Sequence, residues 1–405
     1  MWLLKLAWKN LWRNRGRTVI TMAAIFFAVI FSVVADSLTR GVFENLVKNM
    51  VSYYTGYIQV HQKGYWDDQV LDNSFRNENT LLKSILQEQN ISGVAPRIES
   101  FALASSETVT KGCMLAGIDP QQENEVTSLA KKLTTGEYLA IGDHAVLLGE
   151  GLAKRLQLKV RDTIVLIGQG YHGALAAGKY PVKGLVKFGT PGLNDKVLFL
   201  PLPAAQEFYA AEEMVSSYVI SLKDPGELDK TANALSAKLQ NGYEVMTWGE
   251  MLPEIKQHIQ SDTNSMKYIL GFLYVLICFG IFGTLLMMMV ERRLEMGMLV
   301  AIGMKKGKLG LLLVMELVLT VVAGCLSGLL VSIPVVYYLK ENPIRFGSET
   351  AAAYERFGFE AIIPASVEPD IFIKQGIIVL IAGLILSLYP LYKVLRLDAV
   401  QAMKR

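Results

Sequence analysis

The sequence predicts an α-helical membrane protein with four transmembrane helices and a large α+β extracytoplasmic domain inserted between spans one and two. Three observations carry that prediction. First, mainly apolar runs fall at 19–39, 267–290, 309–339 and 371–391, each near or above the roughly 20 residues that a membrane span needs. Second, residues 40–266 contain no such run, yet form a stretch long enough to build a core of their own. Third, Lys and Arg gather in the short segments on one side of the spans. Composition agrees: charged residues are 19% of the chain, against about a quarter in soluble proteins. With 34 Gly and 3 Cys, a collagen-like or disulfide-framed chain is excluded, and the apolar content excludes disorder.

Residues 1–18 place Leu4, Trp8 and Leu11 on one helical face with Lys5 and Lys9 beside it. A basic amphipathic helix with tryptophan lies in the membrane interface. The run at 19–39 follows basic residues, as a signal peptide would. It is longer than a typical signal core and gives only a weak small-residue cleavage pattern at 33–37, so a retained anchor is expected. In 40–266, alternation predicts strands at 57–62, 94–99, 114–118, 145–148, 163–167, 180–188, 196–200 and 218–222. Helices are expected at 80–89, 204–213 and 226–239, and 250–266 should run as a helical stalk into span two. Residues 291–308 form a short loop between spans two and three, 340–370 a loop on the side of the large domain, and 392–405 a tail.

Orientation follows from the bases near the span ends. The N-terminal segment, the 291–308 loop and the tail together hold 14 Lys and Arg against three acids, a net +11, which leaves −8 for the rest. Both termini and the short loop are therefore expected in the cytoplasm, and the large domain opposite. Cys278 and Cys325 sit inside spans and only Cys113 lies in the large domain, so no disulfide framework is on offer.

Much chemistry is missing from the sequence. It has no G-x-x-x-x-G-K-[ST] loop for nucleotide phosphates, no H-E-x-x-H, no paired-cysteine metal motif and no G-x-S-x-G elbow. His61, His144, His172 and His258 are scattered. No catalytic residue, metal site or cofactor is assigned to this chain, and no nucleic-acid partner. Glu316 is the one acid well inside a span. It lies about two turns, roughly 12 Å, from the cytoplasmic end, where pairing with a Lys or Arg is expected. The other spans offer no mid-membrane ionisable partner for a proton relay.

The 291–304 loop, E-R-R-L-E-M-G-M-L-V-A-I-G-M, is too apolar for a free linker. A short helix there could dock into the groove of a cytosolic partner. Gly297 would permit close approach, and Gly303 a turn back into span three.

These residues carry a resemblance. E-R-R-x-E-x-G-x-x-x-A-I-G before an apolar span is similar to the signature loop of FtsX/MacB-type permeases of ABC transporters. A-W-K-N-L-W-R-N-R-x-R-T at 7–18 resembles that family's opening segment, and L-D-A-V-Q-A-M-K at 397–404 its closing one, with Asp398 where proline is common. G-E-G-L-A-K-R-L at 149–156, followed by V-R-D-T and a strand, resembles its extracytoplasmic domain. Length and the lack of a fused ATPase place the chain nearest the lipoprotein-releasing LolC/LolE branch.

The resemblance implies a non-catalytic permease subunit in a bacterial inner membrane with its large domain periplasmic. It would pair with a second permease, identical or different, around two copies of a separate LolD-like ATPase that binds ATP and Mg. ATP-driven motion would extract lipoproteins from the outer leaflet, with a LolA-like periplasmic carrier to receive them. The coupling contact is expected at Glu291, Arg292, Arg293, Glu295, Gly297, Met298, Leu299 and Gly303, with Arg292 and Glu295 at its polar rim. An acylated cargo needs an apolar, lipid-accessible groove. Phe26, Phe27, Ile30, Phe31 and Val34 of span one, with Ile269, Phe272 and Leu273 of span two, would supply it. The resemblance implies a carrier hook at 169–181, through Gln169, Tyr171, Leu175, Tyr180 and Pro181; the alternative is a hairpin packed on its own domain. Two other family tasks remain open: efflux through a MacB-like tripartite pump, and FtsX-like regulation of a periplasmic hydrolase.

Overall fold

The computed structural model describes residues 2–13, 15–189, 191–239, 242–347, 351 and 362–396. The chain divides into two compact units. One comprises Met1–Glu44, His258–Arg345 and Ile362–Arg405, and the other Asn45–Gln257 with Phe346–Ala361. Among the described residues, four helices are long and apolar enough to cross a membrane.

The chain opens on α1 (Trp2–Arg13) and α2 (Arg15–Met50). In α1, Ala7 is buried while Trp8 and Trp12 are exposed, their rings 6.1 Å apart and edge-on. The face turned to the bundle is thus the small-residue side, and the tryptophans lie away from it. Helix α2 runs well past the apolar stretch that predicts it and ends in a π-helical turn, Val51–Thr55.

In the large domain the strands are β1 (Ile58–Gln62), β2 (Phe75–Arg76), β3 (Ile91–Ser105), β4 (Thr110–Ile118), β5 (Leu133–Gly136), β6 (Val146–Gly149), β7 (Thr163–Gln169), β8 (Leu175–Val186), β9 (Val197–Pro201), β10 (Met214–Val215), β11 (Ser217–Leu222) and β12 (Tyr243–Thr247). Ten of these form one sheet in the order β12-β1-β11-β3-β4-β9-β6-β8-β5, with β7 bridging β3 and β8. Most neighbours are antiparallel; β4–β9 and β6–β8 are parallel. Five helices complete the domain's main elements: α3 (Asn79–Leu86), α4 (Pro120–Thr127), α5 (Glu150–Leu156), α6 (Leu202–Phe208) and α7 (Leu228–Lys238). The main core gathers Ile98, Leu115, Leu148, Leu198, Tyr209 and Tyr218, all fully buried.

Among the described residues, one ion pair of this domain is fully buried. Asp119 caps α4 by accepting from the Gln121 and Gln122 amides at 3.0 Å. One turn on, Glu123 accepts two bonds from Arg97 of β3: from Nε at 2.8 Å and from Nη2 at 2.7 Å. Both side chains are fully buried. The third guanidinium nitrogen reaches Glu99 at 3.0 Å, and the group sits 4.5 Å from the centre of the Tyr54 ring, in the π-helical turn. A buried bidentate pair of this kind fixes geometry, and removing one partner strands the other charge.

The remaining long helices are α8 (Pro253–Glu291), α9 (Arg293–Ala301), α10 (Lys306–Glu341) and α11 (Pro369–Leu395). Without a hydrophobic driving force in lipid, transmembrane helices associate through close packing at small residues. Gly324 and Gly328 of α10 provide this against α2. A Cβ on Gly324 would lie 2.9 Å from the Ile25 Cβ, and one on Gly328 would lie 2.9 Å from the Phe26 carbonyl oxygen.

Three expectations follow. Gly328→Leu should destabilise the purified protein by about 1–3 kcal/mol through overpacking, read from thermal unfolding in detergent. Glu123→Ala should cost about 3–5 kcal/mol by the same measurement. The third concerns His61, which is fully buried, stacked 5.2 Å from Tyr65 and bonded to Gln59 at 2.8 Å. Burial lowers its pKa to about 4. The unfolded ring takes its proton near pH 6.5, so stability held above that pH drains away as the pH falls towards 4, by up to roughly 3 kcal/mol. His61→Gln should flatten that part of the pH–stability curve.

Candidate functional site

The loop between the second and third spans becomes α9, a short helix whose two faces differ. Met296 and Gly297 are buried by their own chain, and Met296 packs in a cluster with Ala7, Met289, Leu309, Leu312 and Val394. Met298 and Leu299 are exposed, as is Ile302. Gly303 then adopts φ +104° with nothing near its Cβ position, a left-handed turn that sends the chain into α10.

Beneath α9 lies an ion pair that binds three segments. Glu316, on the third turn of α10 from its exposed N-terminal end, is 2% exposed. Its Oε2 accepts from Arg292 Nη1 at 2.7 Å and its Oε1 from Asn10 Nδ2 at 2.6 Å. Arg292 Nη2 also donates to the Asn10 carbonyl at 3.3 Å. A second tie joins Arg13 of α1 to Glu295 of α9. Helix α1, the start of α9 and α10 are thereby held together. Glu316, the intramembrane acid, has the basic partner that its position calls for.

This corrects two expectations. Arg292 is not at a polar rim: it is buried against Glu316, because an acid two turns inside a span must find a base and Arg292 is the one that reaches it. Gly297 faces its own chain rather than a partner. Glu291, Arg293 and Glu295 remain exposed beside Met298 and Leu299.

The eight apolar groove candidates are spread around their helices. Phe27, Phe31, Ile269 and Phe272 are exposed, while Phe26, Ile30, Val34 and Leu273 are half-buried, Val34 against the bundle core. At the outer ends of α2 and α8 a cavity does form, lined by other residues, among them Asp36, Arg40, Leu270 and Tyr274.

The 169–181 segment does not protrude as a hook. It holds the last residue of β7, the 170–174 turn and the first part of β8, and the turn is tied down on its own domain. Tyr171 N donates to the Tyr209 carbonyl at 2.8 Å and His172 N to Asp72 at 2.7 Å. Tyr171 and Tyr180 pack on the core, so the aromatics that suggested a hook are structural. Gln169 and Pro181 are exposed, and Leu175 is 84% exposed. Pairing of Leu103 with Ile167 and of Gln169 with Leu175 puts Phe101, Leu103, Ile167 and Leu175 on one open sheet face. Sequence reasoning missed this face because it ended β3 at residue 99; the alternation of Phe101 and Leu103 was the available signal.

Residues 18–238 match the family described as MacB-like periplasmic core domain, and residues 268–399 that described as FtsX-like permease C-terminal. The chain belongs to the FtsX/MacB-type permease family. As such it is a membrane protein and an ABC-transporter permease subunit with a periplasmic domain between its first two spans. This FtsX/MacB-type permease is 22% identical over 329 residues to the lipoprotein-releasing system transmembrane protein LolC of Xylella fastidiosa, covering 79% of each chain. It is 22% identical over 337 residues to the corresponding LolE protein of Haemophilus influenzae, covering 80% of each. Among solved structures, the periplasmic region of MacB from Actinobacillus actinomycetemcomitans aligns at 16% identity and a TM-score of 0.36, over 53% of the permease and 98% of that chain.

The three-way tie at Glu316 is expected to be essential to the permease fold. Glu316→Ala should lower stability by about 3–5 kcal/mol, whereas the double change R292M/E316L should recover most of the loss, since an apolar pair strands no charge. Thermal unfolding of the purified full chain distinguishes the two.

Proposed function

We propose that this permease works in the release of lipoproteins from the outer leaflet of a bacterial inner membrane, driven by a separate cytosolic ATPase. The observation that carries this reading is the match to LolC and LolE proteins, named as parts of a lipoprotein-releasing system, over about four-fifths of both chains. The sequence has no phosphate loop of its own, so the energy must arrive by contact.

Helix α9 is the contact surface in this reading. Met298 and Leu299 are its apolar anchors, flanked by Glu291, Arg293 and Glu295, while the Glu316–Arg292 pair carries force from α9 into the third span. Two ATPase copies bind ATP and Mg. A second permease, identical or different, completes the complex. The exposed aromatics of spans one and two, Phe27, Phe31 and Phe272, supply apolar surface for an acylated cargo. The open sheet face around Leu175 is where a periplasmic carrier would meet the large domain. The N- and C-termini lie in the cytoplasm, in keeping with the +11 charge of the segments on that side.

The test is reconstitution of the permease with its ATPase and a lipoprotein in liposomes. M298D/L299D should insert normally yet lose copurifying ATPase and lower ATP-dependent lipoprotein release by more than about tenfold, the loss of a central apolar anchor. Normal release by this variant would move the contact elsewhere; release of no lipoprotein by the unmodified complex would overturn the cargo. Orientation has its own check. With Cys113, Cys278 and Cys325 replaced, Ala177→Cys should react with an impermeant thiol reagent from outside the cell and Ala301→Cys should not.

A further inference from the structure

Helix α1 has two sides of opposite chemistry. The inner side holds Leu6 and Ala7, packed with Met289 of α8, Leu309 and Leu312 of α10 and Val394 of α11, and Asn10, bonded to Glu316. These contacts set α1 beside the ends of membrane helices, the level at which lipid headgroups lie. The outer side carries Lys5, Trp8, Lys9 and Trp12, at i, i+3, i+4 and i+7, so all four project the same way from the helix. All four are exposed, Trp8 and Trp12 by more than half.

The charge on the outer side is not cancelled. Among the described residues, neither Lys5 nor Lys9 forms an ion pair. The acids nearest to α1 are taken by other bases, Glu295 by Arg13 and Glu316 by Arg292. Arg15 stands exposed just beyond, and Lys305, Lys306 and Lys308 are exposed at the start of α10. The segments at this end of the spans carry a net +11, so the surplus is general as well as local.

Exposed indoles gain most from a medium that takes the ring into an apolar layer and the N–H at a polar one. A bilayer surface is such a medium. The unmatched ammoniums add a sign, because a zwitterionic head brings its own cation and an anionic head does not. Lys5 and Lys9 stand one helical turn apart, with the Trp8 indole N–H as a further donor between them. We infer that this face of α1 binds an anionic glycerophospholipid of the leaflet at this end of the spans. Lys5 and Lys9 hold its phosphate, and Trp8 and Trp12 lie against the first part of its acyl chains. Asn10 ties α1 to Glu316 and Arg13 ties it to Glu295, so the bound headgroup is linked to α9 through two polar contacts. The inference rests on the chain being a membrane protein and is independent of its cargo and of its ATPase.

The test places the purified full-length chain in dioleoylphosphatidylcholine bilayers containing graded shares of a brominated lipid. That lipid is either phosphatidylglycerol or phosphatidylcholine, brominated near the head of its acyl chains, where bromine quenches tryptophan fluorescence on contact. The protein has 5 Trp, and the difference between the unmodified chain and W8F/W12F isolates the pair on α1. Phosphatidylglycerol should quench that pair at an about tenfold lower mole fraction than phosphatidylcholine. K5Q/K9Q should bring the two lipids within about twofold of each other while its unfolding temperature in detergent stays unchanged. K5R/K9R should keep the preference. Equal quenching by the two lipids in the unmodified chain, or the full preference in K5Q/K9Q, overturns the site. Absence of quenching by either lipid would put the face against water or protein and overturn it too.

Discussion

A carboxylate placed inside a membrane span must be matched, and the match at Glu316 organises the end of the bundle where α1, α9 and α10 meet. Glu316 cannot stay unpaired, so it draws in Arg292 from the loop and Asn10 from the N-terminal helix. Once those three are joined, α9 has a fixed origin and a fixed face. Met296 and Gly297 turn inward, leaving Met298 and Leu299 outward. A loop meant only to connect two spans would not need such an anchor. With it, α9 is joined to α10 by a short, hydrogen-bonded contact rather than by flexible chain alone.

The large domain uses the same device in a different setting. Arg97 and Glu123 are as buried as any pair can be, and they tie a helix to the central sheet where an apolar pair could have filled the space. The arginine also lies over Tyr54, in the π-helical turn that follows α2. A π-helical turn is an uncommon irregularity, and here an aromatic ring from it is gripped by a fixed charge. In both units the segments next to a span are held by oriented polar contacts, not by apolar packing alone.

Much of this was legible in the residues. The four spans are long apolar runs whose hydropathy has one reading, and strands such as β1, β9 and β11 alternate or stay apolar through their full length. Strand β5, Leu-Thr-Thr-Gly, and strand β12 carry too little apolar pattern to announce themselves and exist because neighbours pair with them. Glu316 was legible as an acid in need of a base. Which base was not, since Arg292, Arg293, Lys305, Lys306 and Lys308 all lie close in sequence and only the turn from α8 into α9 decides among them. The hairpin at 169–181 failed for the opposite reason. Its aromatics were visible, but whether a tyrosine on a turn points to solvent or into its own core depends on Tyr209 and Asp72, distant in sequence.

The contact between Asn10 and Glu316 spans 306 residues. At about 5–20 residues per second of synthesis, the N-terminal helix emerges roughly 15–60 s before the side chain it will bind. During that interval it has no partner and must rest somewhere. The pair of tryptophans on its outer face, Trp8 and Trp12, lets it wait at the lipid headgroups. The first helix of a nascent chain can thus stay at the bilayer surface until the third span, with Glu316, follows it.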